Sequence, residues 1–115
     1  MVDEQRAKAL KRLSALLSGD RQESIEALCR RHVVHELSLF GSILRDDFDP
    51  GSSDVDATVS FGAPHRESLA RQYFDFKCAL EILLARSVDL VELEAMPDTR
   101  LKRQILRTKI PIYTA

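Results

Sequence analysis

The chain has 115 residues, of which 44% are hydrophobic and 30% are charged. This length allows one domain with its own core, and the composition is that of a globular protein rather than a disordered one. The formal net charge is −1, so no strong overall field favours direct binding to DNA or to an anionic membrane.

The amino-terminal sequence and the cysteines indicate a cytoplasmic protein. No apolar run reaches the length of a membrane span, and the first residues, MVDEQRAKALKRL, lack the apolar stretch of a secretory signal. Cys29 and Cys78 lie within helical patterns, so we interpret both as small apolar core residues in a reducing compartment.

Two helices are predicted before the first strand. The first covers residues 4–17 and carries leucines at helical spacing, namely Leu10, Leu13 and Leu17. Asp20 and Glu23 have the spacing of a capping box for the second helix. That helix is expected to bury Ile25, Leu28 and Cys29.

Three strands and two further helices are predicted in the rest of the chain. In order they are a strand at 35–40, a strand at 54–61, a long helix at 66–85, a strand at 87–93 and a short basic helix at 98–107. Residues 110–113 form an extended or helical tail. This order predicts a small mixed sheet with helices packed on it, of class α/β or α+β. The expected core residues are Leu37, Leu39, Val55, Val59, Leu80, Leu83, Val88 and Leu90.

Gly41 and Ser42, directly after the first strand, have the chemistry of a phosphate-binding turn. Gly41 lacks a Cβ, so the backbone can approach a bulky anion closely. The amides that follow would lie at the start of one helical turn, where unpaired N–H groups favour phosphate, and Ser42 adds a hydroxyl donor. An ordinary tight turn is the alternative interpretation.

Two aspartates open the next strand after a spacer of eleven residues. Asp54 and Asp56 are two positions apart, so both carboxylates leave the same face of a strand. Their repulsion of several kcal/mol at an effective dielectric constant of about 20 is relieved by a divalent cation between them. Oxygen ligands favour magnesium, which keeps sites for water and substrate phosphates. The alternative is a pair of solvated aspartates near a turn.

A third carboxylate, Asp89, lies in the strand predicted at 87–93. If this strand neighbours residues 54–61, Asp89 can join Asp54 and Asp56, either as a ligand of a second metal ion or as the base for an attacking hydroxyl. A phosphate-binding turn beside a magnesium ion held by carboxylates is the arrangement that catalyses nucleotidyl transfer.

The segments LFGSILRDDFDPGSSDVDATV and SVDLVELEAM resemble the minimal nucleotidyltransferase (MNT) proteins of the polymerase-beta-like superfamily. The resemblance extends from about Ile25 to Tyr113. It implies one MNT domain over residues 1–115, with a helical extension at 1–22 and a core at 23–115. The usual spacer between Gly-Ser and Asp-x-Asp has ten residues, and the extra residue here lies in the loop 49–53.

The resemblance also implies a role for each motif residue. Gly41, Ser42 and Arg45 correspond to nucleotide-binding residues that contact the phosphates. The implied metal ligands, which are also the catalytic carboxylates, are Asp54, Asp56 and Asp89. The implied cofactor is Mg²⁺, and the implied substrate is ATP or another nucleoside triphosphate.

Small members of this family act as antitoxins of HEPN-domain RNase toxins, and the resemblance implies transfer of AMP from ATP to a tyrosine hydroxyl of such a toxin. Two alternatives stay open. One is an antitoxin that masks the toxin by binding, with a vestigial nucleotide site. The other is a nucleotidyltransferase that modifies a small molecule. No segment is left over for a second, acceptor-binding domain, which favours an acceptor on a protein partner.

Overall fold

Four helices and a four-stranded sheet make up the chain, which a computed structural model describes for residues 2–115 and, in its side chains, for residues 4–115. The elements in chain order are α1 (Val2–Leu16), α2 (Arg21–Arg31), β1 (Val34–Phe40), a 3₁₀ turn (Gly41–Leu44), β2 (Val55–Phe61), α3 (Leu69–Leu84), β3 (Val88–Glu92), a second 3₁₀ turn (Leu93–Ala95), α4 (Arg100–Thr108) and β4 (Ile110–Thr114). This arrangement confirms the predicted α+β class. The first 3₁₀ turn is called the Gly-Ser turn below.

The sheet is mixed and has the strand order β3-β2-β1-β4. β1 pairs antiparallel with β2 and with β4, whereas β2 pairs in parallel with β3. The condition on which the role of Asp89 depended, that the third strand neighbours the second, is therefore met. The carboxy-terminal segment, predicted as an extended or helical tail, is the edge strand β4, where Pro111 is tolerated because an edge position does not need its N–H.

The core lies between the sheet and the helices. The alternating apolar residues of β1 and β2 point into it, and Leu37, Leu39, Val55, Ala57 and Val59 are all at most 2% exposed. The other predicted core residues Leu80, Val88 and Leu90 are also buried. Leu83 is the exception and is only partly buried, because its neighbour Leu84 takes the inward position of α3.

The inward face of α1 differs from the prediction. Ala9 and Leu16 are fully buried, whereas Leu10 is 46% exposed. Leu13 and Leu17 pack on the core only partly. The helix contacts the Gly-Ser turn. The leucine spacing therefore identified the packed side of α1 only in part, because Leu13 and Leu17 pack on the core whereas Leu10 does not.

The start of α3 differs from the prediction, and α2 has the predicted N-cap residue without the predicted capping bond. α3 begins at Leu69, because the Ser68 hydroxyl caps it by accepting a hydrogen bond from the Arg71 N–H at 3.1 Å. Leu69 itself is 73% exposed. The capping box of α2 is absent, because Asp20 occupies the N-cap but makes no side-chain capping bond.

The two cysteines lie in different environments. Cys29 is buried, as predicted, whereas Cys78 is exposed. The inward positions of α3 are spaced four residues apart and are Gln72, Phe76, Leu80 and Leu84. Cys78 falls outside this series, so the prediction that it belongs to the core is wrong.

Side chains from the helices cap both edges of the sheet. On β3, the Val88 N–H donates to Glu81 Oε2 at 2.9 Å and the Leu90 carbonyl accepts from the Tyr73 hydroxyl, both from α3. On β4, Gln22 Nε2 of α2 donates to the Ile112 carbonyl at 3.1 Å. Over residues 2–115, no helix is both long and apolar enough to cross a membrane.

Candidate active site

The Gly-Ser turn lies beside the first residues of β2. β1 ends at Phe40, and Phe40 pairs with Asp56 in the antiparallel ladder. The chain therefore enters the Gly-Ser turn next to the strand that carries the Asp-x-Asp motif. Two motifs separated by eleven residues in sequence become direct neighbours in space.

Gly41 is required at its position for two reasons. Its φ is +56°, in the left-handed region that glycine adopts without steric cost. In addition, a Cβ at this position would lie 2.8 Å from Oδ2 of Asp56, which is closer than real Cβ atoms come to other heavy atoms. The glycine therefore allows the Asp56 carboxylate to rest against the turn.

Ser42 and Asp56 are joined by two reciprocal hydrogen bonds. The Ser42 N–H donates to Asp56 Oδ2 at 2.9 Å, and the Asp56 N–H donates to Ser42 Oγ at 3.3 Å. The Ser42 amide, expected to be free for phosphate, is thus engaged by the carboxylate. The Ser42 hydroxyl still has its own proton to donate, because a hydroxyl accepts and donates at once.

The third predicted carboxylate lies on the neighbouring strand. Asp89 is directly opposite Asp56 in the parallel pairing of β2 and β3, so both side chains leave the same face of the sheet. Asp54 immediately precedes β2 rather than belonging to it. Asp54 and Asp89 are exposed, whereas Asp56 is partly buried.

A cavity of about 320 Å³ lies over the motif. It brings together four of the predicted site residues, Ser42, Arg45, Asp54 and Asp56. The other lining residues are Asp47, Phe48 and Ser53. Gly41 lies behind the cavity against Asp56, and Asp89 is on the strand next to it.

Arg45 is held at the rim of this cavity by a neighbouring acid. Its Nε and Nη2 donate to the two carboxylate oxygens of Asp47 at 3.0 and 2.7 Å. This bidentate hydrogen bond raises the pKa of Arg45 and lowers the pKa of Asp47. Arg45 must exchange Asp47 for a phosphate in order to act as predicted.

The charge of the cavity fits a divalent cation. Its lining has three carboxylates, Asp47, Asp54 and Asp56, against the single guanidinium of Arg45. A triphosphate alone would be repelled by this lining, whereas oxygen ligands of this kind suit Mg²⁺. Within residues 2–115, no three His, Cys, Asp or Glu side chains are arranged as a ready-made metal site. Magnesium does not need such a cage, since one or two carboxylates, water and phosphate usually complete its shell.

Sequence reasoning missed Phe48 as a part of the site. Phe48 is 7% exposed and lines the cavity, so it anchors the loop between the two motifs to the core. The signal was present in the sequence, because Phe48 is the one large apolar residue of the segment RDDFDPGSS.

Comparisons with known proteins agree with this geometry. A family model described as a nucleotidyltransferase domain matches residues 21–112. A solved structure described as a minimal nucleotidyltransferase is 34% identical, with a TM-score of 0.59, and the match covers 79% of this chain and 88% of that one. No curated protein matched the chain in sequence.

Two toxin-antitoxin structures are also similar. One, determined with AMP-PNP, is 25% identical with a TM-score of 0.59, over 82% of this chain and 73% of that one. The other is the MntA-HepT pair, 24% identical with a TM-score of 0.54, over 82% of this chain and 70% of that one. At the identity of the second, the likeness concerns the fold alone.

Proposed function

Because the chain belongs to the nucleotidyltransferase domain family, we propose that it is a magnesium-dependent protein adenylyltransferase. It transfers AMP from ATP to a tyrosine hydroxyl of a HEPN-domain toxin and acts as the antitoxin of that toxin. The observation that carries the proposal is the placement of Asp56, which is hydrogen-bonded to the Gly-Ser turn and faces Asp89 across β2 and β3.

The transfer is a displacement at the α-phosphorus of ATP. The acceptor hydroxyl oxygen forms a bond to this phosphorus, the bond from phosphorus to the oxygen bridging the α- and β-phosphates breaks, and pyrophosphate leaves. The hydroxyl proton passes to Asp89, which is exposed on the same face as Asp56. Ser42 and Arg45 bind the triphosphate oxygens.

Asp54 and Asp56 are the residues that would hold the magnesium ion. The Ser42 amide binds only one oxygen of Asp56, which leaves Oδ1 for a cation. A bound magnesium ion neutralises the phosphate charge that builds up during transfer.

An acceptor on a protein partner is compatible with the exposure of the site carboxylates. Asp54 and Asp89 are both exposed, so a tyrosine on the surface of a partner could reach them from solvent. The similar toxin-antitoxin structure determined with AMP-PNP supports both a nucleotide and a toxin as ligands of this fold.

The experiment is incubation of the chain with ATP, magnesium and the toxin encoded beside it, followed by intact mass spectrometry of the toxin. We expect one AMP adduct per modified tyrosine. Asp54→Asn combined with Asp56→Asn should abolish the adduct, and Asp89→Asn should slow its formation by about 10²–10⁴-fold, the usual contribution of a general base. Asp75→Asn, on the exposed face of α3, is the matched control and should leave the rate unchanged.

Two results would contradict the proposal. One is a wild-type mixture in which the toxin gains no mass. The other is full neutralisation of the toxin by the double asparagine variant, which would favour an antitoxin that masks its partner by binding.

A further inference from the structure

We infer that Arg12 and Arg86, two arginines outside the Gly-Ser and Asp-x-Asp motifs, position the two ends of the loop that joins these motifs. This loop, residues 43–53, is called the motif loop below. The inference rests on the proposed function, because it assigns Arg12 to the side of the site that binds the nucleotide and Arg86 to the side that binds the metal ion.

Arg12 holds the end of the motif loop next to Ser42. It comes from α1, and its side chain is only 13% exposed. Its Nη1 donates to the Ile43 carbonyl at 2.9 Å, and its Nη2 donates to Asp46 Oδ1 at 2.9 Å. Ile43 is the residue after Ser42 and is itself buried. Arg12 thereby fixes the backbone that presents the Ser42 hydroxyl.

Arg86 holds the opposite end, next to Asp54. It lies between α3 and β3, where its Nη1 donates to the Ser53 carbonyl at 3.1 Å and its Nε donates to the Leu84 carbonyl at 3.0 Å. Burial and the charge of Arg21 lower the pKa of Arg86, and the carboxylates of Asp49 and Asp54 oppose this effect.

The tip of the motif loop is already rigid. The Asp49 N–H donates to Ser53 Oγ at 2.7 Å, the Gly51 N–H donates to Asp49 Oδ1 at 2.8 Å, and the Ser52 hydroxyl donates to Asp49 Oδ2 at 2.9 Å. These bonds lie within the tip and do not tie it to the helices. The two ends of the loop are where the two arginines bind a backbone carbonyl.

Arginine is needed at both positions because each guanidinium binds two acceptors at once. Its planar fork presents several N–H groups in fixed directions, whereas the lysine ammonium is a point charge on a flexible stem. A change to lysine keeps the positive charge and loses one of the two hydrogen bonds. Such a variant therefore changes how the loop backbone is held and leaves the charge at the position unchanged.

The two arginines should act on different ligands. Arg12→Lys loosens the side of the site that binds the triphosphate, so it should weaken AMP-PNP binding about tenfold at saturating Mn²⁺. Arg86→Lys loosens Asp54, so it should raise the Mn²⁺ concentration for half-saturation about tenfold. Each figure corresponds to the loss of one hydrogen bond at the site. The matched control is Arg103→Lys, at an exposed arginine paired with Asp98, for which both constants should stay unchanged.

The test is a titration of the whole chain with Mn²⁺ and with AMP-PNP by isothermal calorimetry, far below the melting temperature of each variant. The inference is supported if each lysine variant shifts its own constant and leaves the other within about twofold. It is overturned if both variants match wild type, or if both shift the two constants equally, as a general loss of structure would do. If Arg12→Lys fails to fold, Asp46→Ala is used in its place, because it removes one of the two hydrogen bonds of Arg12. This variant should weaken AMP-PNP binding about threefold. Unchanged binding would overturn the role of Arg12.

Ligand binding by the wild-type chain distinguishes a failure of this inference from a failure of the proposed function. If the unaltered chain binds neither Mn²⁺ nor AMP-PNP, the proposed function fails and the inference fails with it. If the wild type binds both and the variants bind equally well, only the inference fails.

Discussion

Replacement of Gly41 by alanine should damage the fold and the site together. The left-handed φ of +56° costs a residue with a Cβ about 1–2 kcal/mol. The new Cβ would also lie 2.8 Å from Asp56 Oδ2, so the carboxylate must move and lose its bond from the Ser42 amide. A hydrogen bond to a charged group contributes about 1.5–3 kcal/mol. The sum predicts a loss of roughly 2.5–5 kcal/mol, or about 10–20 °C in melting temperature at roughly 4 °C per kcal/mol.

Gly19 offers a matched control for the backbone part of this cost. Its φ is +71°, and a Cβ there would meet no heavy atom within 4 Å. Gly19→Ala should therefore cost only about 1–2 kcal/mol. The difference between the two alanine variants, measured by urea unfolding, isolates the contact with Asp56.

A double-mutant cycle with Asp56→Ala completes the test. Without the carboxylate, Gly41→Ala should cost no more than Gly19→Ala, so the two changes should couple by about 1.5–3 kcal/mol. The same Gly41→Ala variant should lose Mn²⁺ binding, because its Asp56 no longer rests against the turn. A coupling below about 0.5 kcal/mol, with Mn²⁺ binding intact, would refute this account of the glycine.

Three further predictions concern stability and reactivity. Ala85, the exposed residue that ends α3, has a φ of +56°, so Ala85→Gly should raise the free energy of unfolding by about 1 kcal/mol in a urea titration. Ellman's reagent should label Cys78 in the native protein and reach Cys29 only after unfolding, because Cys78 is exposed and Cys29 is buried; rapid labelling of both would contradict the packing of α2. Burial raises the pKa of Cys29 from 9.0 to about 12. As the pH rises, the thiol is therefore deprotonated in the unfolded chain before it is deprotonated in the folded protein. Stability should therefore fall between about pH 9 and 12, by up to about 1.4 kcal/mol per pH unit, and Cys29→Ala should lack this part of the slope.

The strands and the carboxylates were predictable because their signal is local. The segment DVDATVSF alternates strictly, and this period of two fixed both the buried face and the face that carries Asp54 and Asp56. The pattern in SVDLVEL predicted a strand but left its neighbour open, and the pairing of Asp56 with Asp89 shows that β3 lies beside β2. The roles of these residues in metal binding and transfer stay predictions.

The features that sequence reasoning missed depend on contacts between distant elements. On α1, which contacts the Gly-Ser turn and donates to its Ile43 carbonyl through Arg12, Ala9 is buried and Leu10 is exposed. The pairing of β4 with β1 depends on a partner about 70 residues earlier in the chain, and five residues that include a proline carry little strand signal of their own. The use of the Ser42 amide by Asp56 could not be predicted either, because it depends on side-chain orientation.

The capped edges of the sheet restrict how this protein meets other chains. An open edge strand is a template on which a second chain can add its own strand. Here Glu81 and Tyr73 occupy two backbone groups of β3, Gln22 occupies the Ile112 carbonyl of β4, and Pro111 has no N–H to offer. A second chain could add a strand at these positions only after the helix side chains release the backbone groups that they bind. Each edge is therefore a poorer template for a strand of another chain than an edge without these hydrogen bonds would be.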